Sequence, residues 1–282
     1  MSRGYTIDAA MMMHPVRKKI RSLPGLLRSP LVDLALLLLL VLVIARIFFL
    51  GSKGLSYHWQ WYQVPRFLFA VDAGHIAAGP LLQGLSITLQ ISAISLIVSL
   101  LIGLVTAIFR LADSPLAGLL ARIYIETIRN TPLLIQIFFI YFVLGPLLGL
   151  ERMPAAILSL SLFEGAYIAE IFRSGILAVP RQQAEAAYSL GLGPLATYRH
   201  VILPQAIRTV MPPLTSQAIS LIKDSALVST IAIYDLTMQA QAIIAETFLT
   251  FEIWLTVAAL YLVITCTLSY AAGRLEHHLK LP

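Results

Sequence analysis

Cysteine occurs once in this chain of 282 residues, at Cys266. A single thiol excludes an intrachain disulfide and any multi-cysteine metal site, and within an apolar run it reads as a packing residue. Charge is scarce too. Asp, Glu, Lys and Arg make up 12% of the chain, about half the share of a soluble domain of this length. The five lysines, at 18, 19, 53, 223 and 280, never follow a glycine. The phosphate-cradling Gly-x-x-x-x-Gly-Lys-Ser/Thr loop is therefore absent, and the chain does not hydrolyse ATP itself. No enzymatic constellation emerges either. His14, His58, His75 and His200 stand apart. His277 and His278 are adjacent rather than i,i+4 on a helix and read as interfacial, not as a metal site. No repeat of 20–50 residues and no inverted halves are visible.

What is abundant is apolar sequence: 59% of residues, with a mean hydropathy of +0.85. These residues sit in long runs, so the solvent is lipid. A helix crosses ~30 Å of hydrocarbon with ~20 residues. Six segments qualify, at 31–50, 82–109, 119–148, 154–176, 205–232 and 252–273. The expected fold is all-α, a polytopic membrane protein of six spans. The third and fifth spans are longer than needed. Pro132 breaks the third and Pro212-Pro213 break the start of the fifth, so kinks, tilt or partial re-entry are expected there.

Basic residues set the expected orientation. With the N-terminus inside, the inner segments and their flanks hold Arg3, Arg17, Lys18, Lys19, Arg21, Arg28, Arg110, Arg122, Arg173, Arg181, Arg199, Arg208, Arg274 and Lys280. The outer loops hold Lys53, Arg66 and Arg152. This bias places both termini in the cytoplasm. The net charge of +6 lies beside apolar spans and not in a stripe, which speaks against nucleic acid as a partner. Residues 1–30 form a basic cytoplasmic segment and not a cleavable signal peptide, because the run after it is long enough to span. Residues 51–80 form the longest outer segment. Tyr57, Trp59, Trp61 and Tyr62 there read as an interfacial aromatic belt.

Between two apolar stretches lies a polar island, residues 177–204. It contains Glu185-Ala186-Ala187, a good helix former, then Gly191, Pro194 and Pro204. Gly191 lets the chain turn or a partner approach closely, and Pro204 restarts a helix at its first turn. A short helix fixed between two spans suits docking of a soluble partner. The other reading is an amphipathic helix lying on headgroups.

Charges within spans face a cavity or a partner, because lipid makes them costly. Asp33 and Arg46 lie near span ends and snorkel. Glu126 and Arg129 share a face at i,i+3, followed by Asn130, Thr131 and Pro132, where a lost backbone donor leaves carbonyls for a polar ligand. Lys223, Asp224 and Ser225 occupy the fifth span. For a zwitterion, Arg129 is the better carboxylate clamp, with Asp224 or Glu126 accepting from the ammonium. Alternatively, Glu126–Arg129 and Lys223–Asp224 are buried pairs that fix packing. Glu164, Glu170 and Arg173 lie in the fourth span, where Glu170 and Arg173 read as a brace for the island.

At the island the chain resembles the membrane-spanning subunits of ATP-binding-cassette (ABC) importers. Their signature is Glu-Ala-Ala, three residues, Gly, nine residues, then Ile-x-Leu-Pro. Glu185, Ala186, Ala187, Gly191, Leu203 and Pro204 match, and Val201 stands for the Ile. Further stretches resemble the permeases for polar amino acids of the histidine/glutamine/glutamate type. They are Tyr-Ile-Glu-Thr-Ile-Arg-Asn-Thr-Pro-Leu-Leu-Ile-Gln at 124–136, Ala-Tyr-Ile-Ala-Glu-Ile-Phe-Arg-Ser-Gly-Ile at 166–176, Lys-Asp-Ser-Ala-Leu at 223–227, and Ala240-Gln241. The resemblance covers about residues 80–275. The span at 31–50 is additional to the family's common five.

The resemblance implies a type I importer transmembrane domain over 81–275, a coupling segment at 178–204 and a cytoplasmic tail at 276–282. It also implies a second permease, identical or paralogous, two ATPase subunits beneath, and a periplasmic amino-acid-binding protein above. ATP and Mg would sit on the ATPase, leaving no cofactor on this chain. The place is the bacterial inner membrane, and the cargo a polar amino acid. An ion-coupled carrier or channel would also place charges in spans, but would need neither the island nor an ATPase. A membrane enzyme would need a nucleophile–base set or metal ligands within the spans.

Overall fold

The fold comes from a computed structural model that describes residues 30–54, 57–72 and 75–279. The basic residues before position 30, Lys280 and the side chains of His277 and His278 lie outside the described residues. The chain forms two compact units, Met1–Trp59 and Gln60–Pro282.

In the first unit, helix α1 spans Pro30–Gly54. Its Leu34–Gly51 stretch is long and apolar enough to cross a membrane, with none of it buried. Leu36 through Leu40 are all exposed. A helix apolar on every side suits lipid and not water.

The second unit opens with a short antiparallel hairpin, β1 (Phe69–Asp72) and β2 (His75–Ala78), paired from Phe69↔Ala78 to Asp72↔His75. It is the one sheet among the described residues. Before it, the Gln60 amide donates to Glu252 at 2.7 Å. Glu252 is fully buried in the first turn of the last helix, so the entry segment is pinned to the bundle.

Two helices form the frame, α2 (Pro80–Leu111) and α5 (Arg152–Leu177). They run side by side in one direction. Ser161 Oγ donates to the Ser95 carbonyl at 3.4 Å, and further along Arg110 meets Glu170. Ser92, Ser95, Ser99, Ser159 and Ser161 are all buried. Small side chains let two backbones approach where lipid supplies no hydrophobic drive. At Gly103, a Cβ would stand 2.5 Å from Ile168 Cγ2, so glycine sets the spacing here.

Between them run α3 (Pro115–Arg129) and α4 (Leu133–Leu148), at 106° to each other. The expected break at Pro132 is thus a turn sharper than a right angle. Leu133 and Ile137 of α4 pack with Ile91 and Leu160, and Leu221 and Val228 complete that core.

After α5 come α6 (Arg181–Ser189) and a long helix, α7 (Pro194–Ile231), then α8 (Leu236–Thr247) and α9 (Thr250–Leu279). Three expectations change here. The helix does not restart at Pro204: it starts at Pro194 and passes through a π turn at Tyr198–Ile202. A π turn shifts the hydrogen-bond register where Pro204 has no N–H to give. Nor do Pro212 and Pro213 break it; both lie inside Leu203–Asp224. Pro213 is exposed, and Thr215 Oγ1 donates to the Pro212 carbonyl at 2.8 Å. The irregularity comes later, as a 3₁₀ stretch over Ser225–Ile231, a left-handed Ala232 and a 49° bend into α8. Helix α8 itself was not foreseen. Finally, Cys266 is exposed and does not pack within the chain. Ile253 and Val257 put the buried face of α9 on another side.

Candidate functional site

The island folds by local rules. α6 ends in a turn that returns its last carbonyls. The Leu192 amide donates to Ala187 O at 3.1 Å, and the Gly191 amide to Tyr188 O at 2.9 Å. This closure needs a left-handed residue, and Gly191 supplies it with φ +80°. A Cβ there would meet nothing within 4 Å. The requirement is thus conformational and not steric. Pro194 then occupies the first turn of α7. Ala187 and Thr197 face inward and are buried. Glu185, Ala186 and Pro204 are exposed, as is Leu203 at 41%. Around the turn, Leu190 and Leu195 are each 83% exposed, with Tyr188 and Tyr198 about half exposed. Apolar groups raised on a polar turn form a contact patch for a protein.

Behind the island, Glu170 gathers arginines. Arg173 donates to it through Nε and Nη2 at 2.8–3.2 Å, and Arg110 lies at 4.0 Å. Arg129 adds its field to the same carboxylate and sits 5.1 Å over the Tyr167 ring. Glu170 thereby ties α2, α3 and α5 together at the start of the island. The expected brace of Glu170 with Arg173 is present and extends to Arg110.

The α3–α4 break uses its polar residues locally. Asn130 Nδ2 donates to Glu126 O at 2.7 Å and to Glu126 Oε2 at 3.1 Å. Thr131 Oγ1 donates to Thr127 O at 2.9 Å. The Ile128 carbonyl, left over by Pro132, accepts from Gln136 Nε2 at 2.8 Å. The expectation of free carbonyls there is corrected: Gln136 and Thr131 occupy them. The pairs of the alternative reading do not form ion pairs, and Lys223 acts on Asp224 through its field alone. Among the described residues the ion pairs are Arg110–Glu170 and Arg173–Glu170, with none joining Glu126 to Arg129 or Lys223 to Asp224.

Lys223 and Asp224 end the α-helical part of α7, and Ser225 opens its 3₁₀ stretch. Lys223 is exposed, Asp224 half-buried, and Ser225 buried with its hydroxyl on Ile222 O at 2.8 Å. Asp224 acts electrostatically on Glu164 of α5. Glu164 is fully buried and accepts from Gln217 Nε2 of α7 at 2.6 Å. The structure therefore brings Asp224 to Glu164, and Arg129 to Glu170 and Tyr167, as two separate groups. Glu164 showed in the sequence as a charge within a span. Gln217 gave no signal, because its partner lies on another helix.

At the Arg152 end, a cavity of about 580 Å³ is lined by Ile87, Tyr141, Glu151, Arg152, Ile233 and Tyr234, among others. Arg152 spans it, donating to Tyr141 OH at 3.3 Å and to Ala232 O at 3.4 Å.

Comparison with known proteins agrees with this architecture. Residues 99–280 match the family of binding-protein-dependent transport system inner membrane components. The glutamine transport system permease protein of Escherichia coli K12 is 42% identical over 204 residues, 71% of this chain and 93% of that protein. A probable glutamine ABC transporter permease of Bacillus subtilis is 41% identical over 214 residues, 74% and 97% of the two chains. Among solved structures, an amino acid ABC transporter crystallised with histidines superposes with TM-score 0.67 at 37% identity, over 71% of this chain and 94% of that one. The inward-facing MetNI methionine ABC transporter shares the fold, with TM-score 0.63 at 20% identity. The chain belongs to the binding-protein-dependent inner-membrane component family, as a permease subunit of the polar amino-acid ABC importers.

Proposed function

We propose that this permease carries a polar amino acid inward across the bacterial inner membrane, driven by separate ATPase subunits that grip the Arg181–Pro204 segment. The carrying observation is the island. A short helix is closed by a left-handed Gly191, exposes Leu190 and Leu195, and is continuous with the helix bearing Asp224. Lipid headgroups are the weaker reading, because Glu185 and Ala186 share the exposed surface with those leucines.

In this reading both termini and the island are cytoplasmic, as the arginines of Arg110, Arg173, Arg181 and Arg199 favour. The Arg152 cavity then opens to the periplasm, where an amino-acid-binding protein delivers cargo. A second permease, identical or paralogous, completes the pathway. ATP-driven closure of the motor pulls Glu185 through Leu203, and the rigid α7 passes that movement to Lys223, Asp224 and Ser225. Asp224 receives the ammonium. The exposed guanidinium of Arg129, held over Tyr167, receives the carboxylate. Glu126, Asn130 and Thr131 hold the α3–α4 break that aims Arg129. Movement of this kind requires contacts that differ between the two end states.

The test has two parts. Purification of the permease should bring along a subunit with a phosphate-cradling loop. In proteoliposomes, uptake should fall at least about tenfold in Asp224→Ala or Arg129→Ala, the size of loss a missing charged contact causes, while the ATPase stays bound. Solute movement with no ATPase attached overturns the reading. Full uptake by both variants removes these residues from the pathway.

A further inference from the structure

Glu164 is one of three fully buried carboxylates among the described residues, with Asp235 and Glu252. Its residue is fully buried, yet only one of its two oxygens is engaged: Oε2 accepts from Gln217, and Oε1 is buried with no hydrogen-bond partner. Among the described residues no Lys, Arg or His pairs with it. The charge that acts on it is a second carboxylate, Asp224, on α7. A carboxylate withdrawn from water without a counter-ion is strongly unfavourable, and a fold kept by packing alone would do better with an apolar residue there. Arg110 and Arg173 pair with Glu170, on the same helix but nearer the island, and Arg129 lies over Tyr167.

We infer that Glu164 is a specificity residue: its free oxygen accepts an N–H donor from the side chain of the transported amino acid and excludes side chains that end in a carboxylate. The preferred cargo carries an amide, an imidazole or a guanidinium. Glu164 and Asp224 together present two acceptors and no cation between them. An ammonium on Asp224 leaves the side chain directed at Glu164. A carboxylate brought there meets like charge on both sides, and the cation that acts on Asp224, Lys223, is exposed. Gln217 of α7 holds the other oxygen in this conformation, so access to Oε1 requires α7 to shift against α5. This inference rests on the import reading above.

The experiment measures equilibrium binding of radiolabelled L-glutamine, L-arginine and L-glutamate to the purified permease–ATPase complex in nanodiscs, without receptor protein. The wild type should hold glutamine and arginine at least about tenfold more tightly than glutamate, and Glu164→Gln should bring the three within about threefold, the scale expected when a polar specificity contact is lost. In parallel, a hydrophobic carbodiimide is used on the wild type, with peptide mass spectrometry at Glu164. L-Glutamine should slow the modification and L-glutamate should not. This second readout needs no variant and decides the matter if Glu164→Gln does not assemble. An unchanged preference in Glu164→Gln, or equal protection by the two amino acids, overturns the inference alone. A wild-type complex that binds none of the three overturns the import reading and the inference with it.

Discussion

At Gly191 the backbone asks for one thing, a positive φ, and the surrounding space asks for nothing. A β-branched residue in that conformation costs about 1–2 kcal/mol, whereas asparagine tolerates it. Gly191→Val should therefore loosen the turn and cut the coupling of ATP hydrolysis to uptake, while Gly191→Asn keeps most of it. Paired measurement of uptake and ATPase rate checks this; equal coupling in both variants counts against it. Residue-scale features of this sort were legible in the sequence, because helix former, turn and proline follow one another along the chain. The role of Glu126, Asn130 and Thr131 was harder to see. Their types suggested a ligand, but their nearest partners are the carbonyls and carboxylate of the helix they terminate. Gln217 was invisible, since its bond to Glu164 joins positions 53 apart.

Elements in lipid follow softer rules than elements in water. Pro132 ended a helix as expected, because Gln136 and Thr131 stand ready to take the freed carbonyls. Pro212 and Pro213 did not, even though a proline inside an isolated helix costs about 3 kcal/mol. Neighbouring helices and nearby hydroxyls hold a membrane helix through such a gap. Proline position alone therefore could not say which break would be real. Contact between α2 and α5 depends on glycine in a different way from the island. Gly103→Leu would drive a side chain into Ile168, and overpacking of this kind costs about 1–3 kcal/mol. Its melting transition in detergent should drop well below that of Leu101→Ala on the exposed face of the same helix. Equal transitions would mean that α2 and α5 do not meet so closely.

For the whole molecule, the division after Trp59 is the leading feature. Relatives in Escherichia coli and Bacillus subtilis are covered almost end to end by about three quarters of this chain or less. The second unit also carries its own anchor, since Gln60 bonds to Glu252 within it. A chain lacking residues 1–59 should accordingly keep its fold and, on the import reading proposed above, still bind an ATPase subunit, as judged by size-exclusion profile and melting transition. Loss of both would assign α1 to the folding of the bundle. Apolar run length made legible the four unbroken helices long enough to cross a membrane, and the count reaches six when each bent pair is one span; the 106° angle between α3 and α4 was not legible.

The unbroken run of α7 from the π turn to Asp224 has a further consequence. Over this stretch the residue count sets azimuth as well as length. One amino acid inserted between Pro204 and Gln217 would rotate everything beyond it by about 100° and advance it by about 1.5 Å. Gln217 and Asp224 would then look away from Glu164 without any change in their own chemistry. Substitutions here alter what the helix says to its neighbours; a single insertion or deletion alters whom it addresses.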